Sequence, residues 1–161
     1  IKEIFQGIIE LDRVIGLHFF NPVQIMKLVE LSYLEETNLD NISHIDYLVK
    51  SIDKEVVRVK NSPGFIVNRL LIPMINEAAK IVEEGLATIE DVDRAMKFGA
   101  NHPMGPLKLS DLIGNDVILA ILNTLKTSNH QIKISNLLKH KVKNNNLGRK
   151  TSLGFYTYEK K

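Results

Sequence analysis

Asn61-Ser62-Pro63-Gly64-Phe65-Ile66-Val67-Asn68-Arg69-Leu70-Leu71 is where the chain changes its period. Before it, apolar residues come in short β-rich runs: Val14-Ile15-Gly16-Leu17-His18-Phe19-Phe20 closed by Asn21-Pro22, then Met26-Lys27-Leu28-Val29-Glu30-Leu31, then Glu55-Val56-Val57-Arg58-Val59. These predict three strands. Between the second and third, Ile45, Leu48, Val49 and Ile52 recur at helical spacing, so residues 43–52 are expected to form a helix and the segment a β-helix-β unit. After it the spacing is helical throughout. Ser62-Pro63 offers a cap residue followed by proline at the first helical position, which predicts a helix from Pro63 to about Glu84, bent at Pro73 and ended by Gly85.

Further along, Thr88-Ile89-Glu90-Asp91 has the form of an N-terminal cap for a short helix that stops near Gly99. A loop, His102-Pro103-Met104-Gly105-Pro106, separates it from helical patterns over 107–113, 117–125 and 132–142, and the tail Gly154-Phe155-Tyr156-Thr157-Tyr158 reads as extended and aromatic. The fold class that follows is an α/β remnant followed by an all-α lobe, with the boundary at Asn61–Pro63.

The chain has 161 residues, 44% of them hydrophobic, which suffices for one domain or two small lobes but is short for a complete two-domain enzyme. The formal net charge of +2 excludes a global polyelectrolyte signal for nucleic acid or membranes. Charge is nevertheless uneven: residues 126–161 hold 9 basic and 1 acidic side chains. There is no cysteine, so disulfides, thiolate nucleophiles and sulfur-based zinc sites are excluded. No run approaches the roughly 18 apolar residues of a membrane span. The first methionine is Met26, so Ile1 is expected not to be a translation start and the chain to be processed or truncated.

Two polar residues sit where strand alternation places apolar ones. His18 shares a face with Gly16 and Phe20, and Glu30 with Met26 and Leu28. On neighbouring strands an imidazole and a carboxylate would come within hydrogen-bond reach, which fixes the ring tautomer and makes the histidine a competent general base. A structural histidine and an unrelated edge glutamate give the same spacing. Asn68, among apolar residues at the start of the long helix, could aim its amide at a carbonyl oxygen or merely bond back to the preceding turn; Arg69 reads as solvated or as part of a structural pair. Gly-x-Gly does not occur, so no dinucleotide or phosphate-binding turn lies in these residues, and His44, His102, His130 and His140 lack metal-ligand spacing, so no metal site is expected. The basic residues Lys139, Lys141, Lys143, Arg149 and Lys150 read mostly as a solvated tail.

Four segments in the same order resemble the NAD-dependent L-3-hydroxyacyl-CoA dehydrogenase family, which includes bacterial 3-hydroxybutyryl-CoA dehydrogenases: Gly16–Val23 running into Met26–Glu30, Ser62–Leu71, His102–Leu107 and Gly148–Tyr156. The resemblance implies that residues 1–62 are the distal strands of a Rossmann-type NAD-binding domain and that residues 63–161 are the helical C-terminal domain through which such enzymes dimerise. The glycine-rich turn and an active-site serine would precede Ile1. It further implies His18 as catalytic base, Glu30 as its orienting carboxylate and Asn68 as a substrate-orienting amide. Asn21 would lie near the nicotinamide ribose, and Lys150 would reach the cofactor from the C-terminal lobe. The implied cofactor is NAD, with NADP as the alternative, and the implied substrate is an acyl-CoA. A homodimer in the cytoplasm, or in the mitochondrial matrix of a eukaryote, is expected, with no nucleic-acid or membrane partner.

Two departures stand out: Gln24-Ile25 replaces a common Pro-Val, and Ser152 stands where the family usually has glycine. If that position has positive φ, Ser152 costs about 1 kcal/mol. A related dehydrogenase of another hydroxy acid, a non-catalytic dimerisation or ligand-binding fragment, and a nucleic-acid-binding lobe are the competing readings.

Overall fold

The computed structural model describes residues 10–129 and 131–159; His130, among the histidines weighed above, lies outside them. The chain divides into two compact units, residues 1–66 and 67–161.

In the first unit, β1 (Ile15–Phe19), β2 (Leu28–Tyr33), α1 (Leu39–Ser51) and β3 (Glu55–Lys60) follow one another. The sheet order is β1-β2-β3, with β1 antiparallel to β2 and β2 parallel to β3, and α1 is the crossover of that parallel pair. β2 is central and buried from Val29 to Ser32, which is why its apolar pattern lacks clean alternation. On one face Val29 and Leu31 are in register with Val56 and Arg58, and the unit's core is completed by Val14, Leu34, Ile42 and Val49.

Helix α1 starts four residues before the predicted Ser43, because Asn38 caps it by accepting from the Asp40 amide at 2.8 Å. Its inward face also differs from the expected one. Ile42, Asp46 and Val49 are buried, whereas Leu48 and Ile52 are 56% and 58% exposed. The reason is electrostatic: the Asp46 carboxylate turns in to accept from Arg58 on β3, with Lys50 3.3 Å away, and the Arg58 contact holds its carboxyl below the usual carboxylate range despite burial.

Ser32 is fully buried on the opposite sheet face, and its hydroxyl has no partner among the described residues. Ser32→Ala is therefore expected to raise the stability of the chain by about 1 kcal/mol, since it removes an unsatisfied polar group without emptying much volume. Urea unfolding checks this; a loss of stability would mean the hydroxyl has a partner in solution.

The second unit consists of α2 (Val67–Glu83), α3 (Ile89–Gly99), α4 (Pro106–Ile113), α5 (Asn115–Ser128) and α6 (Asn136–Lys143). Their apolar stripes meet in a core of Ile72, Ile75, Ala78, Ala79, Val92, Leu107, Ile118, Leu122, Leu125, Ile134, Leu138 and Phe155. Each large member fully removed from water contributes about 1.5–3 kcal/mol. α2 is the hub, packed against the other four helices. Gly85 follows it at φ 70°, and Thr88 caps α3 by accepting from the Asp91 amide at 3.1 Å.

Three sequence expectations need correction here. Helix α2 begins at Val67 rather than Pro63, because Gly64 (φ 74°) and Phe65 (φ 47°) turn the backbone left-handed ahead of it. α6 begins at Asn136 rather than Ile132: the buried Asn76 side chain holds the Lys133 carbonyl (3.0 Å) and the Ser135 amide (2.9 Å) in an extended approach, and Ser135 caps the helix. Glu83 reinforces that start by accepting from the Ser135 hydroxyl, the Asn136 amide group and the Leu137 N–H, and these bonds, the Ser135 one foremost, hold its carboxyl below the ordinary range. The aromatic tail forms no regular strand, only isolated bridges of Leu153 to Gly148 and to Thr157.

Candidate active site

The register of the antiparallel pair sets His18 directly opposite Glu30, so both side chains leave the same face of the sheet. They meet. His18 Nδ1 lies 2.8 Å from Glu30 Oε2, with the histidine side chain 34% exposed and the glutamate 1%. An ionised carboxylate only accepts, so a neutral ring that donates to it carries its proton on Nδ1 and its lone pair on Nε2. The other carboxylate oxygen, Glu30 Oε1, accepts from the Ile66 N–H at 3.0 Å. That amide was invisible to helical spacing, which assigned it to the interior of a helix. It becomes a donor because the left-handed turn at Gly64 and Phe65 delays α2. Aromatic rings border the imidazole: Phe20 at 4.6 Å and Phe65 at 5.8 Å between centroids. The arrangement is a one-third-exposed imidazole hydrogen-bonded to a buried carboxylate and bordered by two aromatic rings, a pairing chemically able to move a proton.

The other residues singled out from the sequence fall in different places. Asn21 is exposed just after β1, at the head of the loop to β2, and its bond to Pro22 is cis. Asn68 and Lys150 belong to the helical unit. Asn68 is half-buried in the first turn of α2, and the neighbouring Arg69 is exposed. Lys150 sits in a 3-10 turn, Arg149–Thr151, and its ammonium is bound by both oxygens of Asp116 (2.6 and 2.7 Å), which lowers the Asp116 carboxyl below its ordinary range. A lysine so engaged offers less charge to an incoming phosphate than a solvated one. Ser152 does occupy the left-handed region, at φ 61°.

The basic tail is more structural than its composition suggests. Lys141 donates to the Gly154 carbonyl at 2.7 Å and lies 4.8 Å over the Phe155 ring, and burial lowers its pKa. Beneath it, Asp111, buried in α4, accepts from the Phe155 and Tyr156 amides, each at 2.8 Å, and from the Tyr158 hydroxyl at 3.1 Å. Burial, with Asp111 adjoining, pushes the Tyr158 phenol up to about 12. A Cβ at Gly154 would come within 2.0 Å of Asp111 Oδ1, so only glycine lets the tail approach this closely. Asp93 plays a similar part for α4, accepting from the Leu107 and Lys108 amides and the Tyr156 hydroxyl. Asp111 is legible in the sequence as the lone carboxylate of an apolar helix, though nothing in the spacing names its partner, whereas Asp93 is one of three acids in α3 and carries no such signal. No group of three histidines, aspartates or glutamates is placed to hold a metal among the described residues. No helix among them is long and apolar enough to cross a membrane.

Residues 1–62 match the family model described as 3-hydroxyacyl-CoA dehydrogenase, NAD binding domain, and residues 64–158 the one described as 3-hydroxyacyl-CoA dehydrogenase, C-terminal domain. The chain is 53% identical to a 3-hydroxybutyryl-CoA dehydrogenase of Clostridioides difficile over 99% of its own length and 58% of that protein. It is 42% identical to human mitochondrial hydroxyacyl-coenzyme A dehydrogenase, covering 92% of this chain and 48% of the human one. The crystal structure of (S)-3-hydroxybutyryl-CoA dehydrogenase from Ralstonia eutropha superposes with a TM-score of 0.91 at 46% identity, over 94% of this chain and 54% of that one. The chain thus spans about half the length of the relatives it matches. On the family models and these identities, the chain belongs to the 3-hydroxyacyl-CoA dehydrogenase family.

Proposed function

We propose that this chain is the distal part of an NAD-dependent dehydrogenase that interconverts (S)-3-hydroxyacyl-CoA and 3-ketoacyl-CoA, with a short acyl chain such as 3-hydroxybutyryl. The observation that carries the reading is the 2.8 Å contact between His18 Nδ1 and the buried Glu30 carboxylate. In the oxidative direction His18 Nε2 takes the proton of the 3-hydroxyl as C3 becomes a carbonyl. Glu30 holds the opposite nitrogen's N–H and stabilises the imidazolium that forms, and the Ile66 amide keeps Glu30 in place. Asn68 orients the substrate oxygen through its amide.

NAD, when bound, supplies the hydride acceptor. The residues present fit its nicotinamide end, where the exposed Asn21 amide follows the strand bearing His18. They do not fit its pyrophosphate, because the 161 residues contain no Gly-x-Gly turn and Lys150 is already neutralised by Asp116. In keeping with this, residues 1–161 alone are expected not to oxidise NADH with acetoacetyl-CoA, whereas a protein joining them to the upstream half carried by the relatives is expected to do so, and to prefer it over free acetoacetate by kcat/KM. Turnover by the purified 161-residue chain would overturn the assignment of the missing phosphate site.

The chain's coverage of about half of its relatives also supports a second reading, a non-catalytic dimerisation fragment. The helical unit leaves Phe98 80% and Leu70 71% exposed, surface that a homodimer through this unit would cover. Light scattering of the isolated chain separates a dimer from a monomer.

A further inference from the structure

We propose that Lys54 is a positioning residue for the loop that links the histidine strand to the glutamate strand. Residues 20–27 leave β1 two positions after His18 and return at Leu28. Inside the loop the Ile25 and Met26 amides both converge on the Pro22 carbonyl at 3.0 Å, which closes a turn but leaves its far limb to be held from elsewhere. The hold comes from the start of β3. Lys54 Nζ donates to the Val23 carbonyl at 2.6 Å and to the Met26 carbonyl at 3.0 Å, across 31 and 28 residues of sequence. The next residue's amide, Glu55 N–H, donates to the Lys27 carbonyl at 2.9 Å, and Asp53 lies 3.6 Å from the Lys27 ammonium. Residues 53–55 thus hold the loop at Val23, Met26 and Lys27, and the charge-assisted pair from Lys54 is the part a side-chain substitution can remove.

The other limb carries Asn21 and begins with Phe20, whose ring packs on the imidazole of His18. The loop itself presents apolar side chains outward: Val23 is 38%, Ile25 74% and Met26 41% exposed. Such a loop has little core contact of its own to define its shape, so an ammonium that fixes two of its carbonyls sets where Asn21 and Phe20 stand. Resting on the dehydrogenase reading above, this assigns Lys54 to cofactor affinity rather than to proton transfer: it touches neither His18 nor Glu30 but frames the loop in which the nicotinamide-side amide sits.

The test uses Lys54→Met, which keeps the aliphatic stem and deletes the donors, with Lys54→Arg as the conservative variant. In the 161-residue chain, amide hydrogen exchange over residues 22–27 is expected to accelerate about tenfold in Lys54→Met and to return towards the wild-type rate in Lys54→Arg, with exchange in α2–α6 unchanged. In the enzyme that contains the chain, KM for NADH and the NADH dissociation constant from fluorescence titration are expected to rise about tenfold while kcat falls less than about threefold. Unchanged exchange at 22–27 overturns the proposal, as does faster exchange with unaltered NADH affinity, or a kcat loss without a KM change. Should wild-type enzyme bind NADH yet fail to reduce acetoacetyl-CoA, the substrate reading falls while exchange and NADH titration still decide the role of Lys54. Lys54→Gln, which retains a donor, replaces Lys54→Met if the latter does not fold.

Discussion

His18→Gln in the enzyme that contains this chain is expected to lower turnover of acetoacetyl-CoA and NADH by about two to four orders of magnitude, the range general acid–base catalysis supplies. Glutamine keeps the approximate length of the side chain and can still donate an N–H to Glu30, so the buried carboxylate retains a partner and the strand pair its packing. What it lacks is a nitrogen lone pair basic enough to accept the alcohol proton. The expected signature is therefore a fall in kcat with KM values for both substrates within about threefold and an unfolding midpoint close to wild type. A histidine that served only the sheet would give the opposite pattern, a loss of stability with near-normal turnover, and that result would remove the proposed mechanism. The 1% exposure of Glu30 sharpens the comparison: deleting its partner outright, as in His18→Ala, leaves a buried carboxylate bound by the Ile66 amide without the imidazole and confounds folding with catalysis.

Asp111→Ala is expected to cost about 3–5 kcal/mol of stability, the range for breaking a buried charged network. The carboxylate is 1% exposed. Beyond the two tail amides and Tyr158 it accepts from Asn115 Nδ2 at 3.2 Å, and Asn115 in turn accepts from the Ser110 hydroxyl and donates to the Asn146 carbonyl. Removing it strands several buried donors at once and frees the segment 147–158, including the turn that carries Lys150. Asp111→Asn, which keeps one acceptor oxygen, is expected to lose about half as much. Urea unfolding followed by circular dichroism measures both, and a cost below about 1 kcal/mol for the alanine variant would show that the tail is held by the burial of Phe155 rather than by the carboxylate.

Much of this molecule was legible along the chain. Three strands, a crossover helix and a run of helices followed from apolar spacing, because the period of 2 or 3.6 is written locally and the core needs no more than a continuous apolar stripe from each element. The caps at Thr88 and the stop at Gly85 were readable for the same reason, being contacts or conformations within a turn or two. The pairing of His18 with Glu30 was foreseeable as a possibility, since two polar residues on inward-facing strand positions require partners. Their register, which makes them direct neighbours, was not.

In two places a long-range partner overrides a local preference. Ser62-Pro63 has the form of a helix start, yet the helix waits until Val67 because Gly64 and Phe65 turn left-handed and present the Ile66 amide to Glu30, a residue on another strand. α1 turns Asp46 inward and leaves Leu48 and Ile52 in water because Arg58 waits across the sheet. The amino-acid sequence alone determined the fold class, the order of the elements and the family. Tertiary structure alone decided which buried acids meet which amides, which loop Lys54 grips, and which oxygen of Glu30 holds the imidazole. Spacing specifies the side of an element a residue faces, but only the packed backbone specifies what lies opposite.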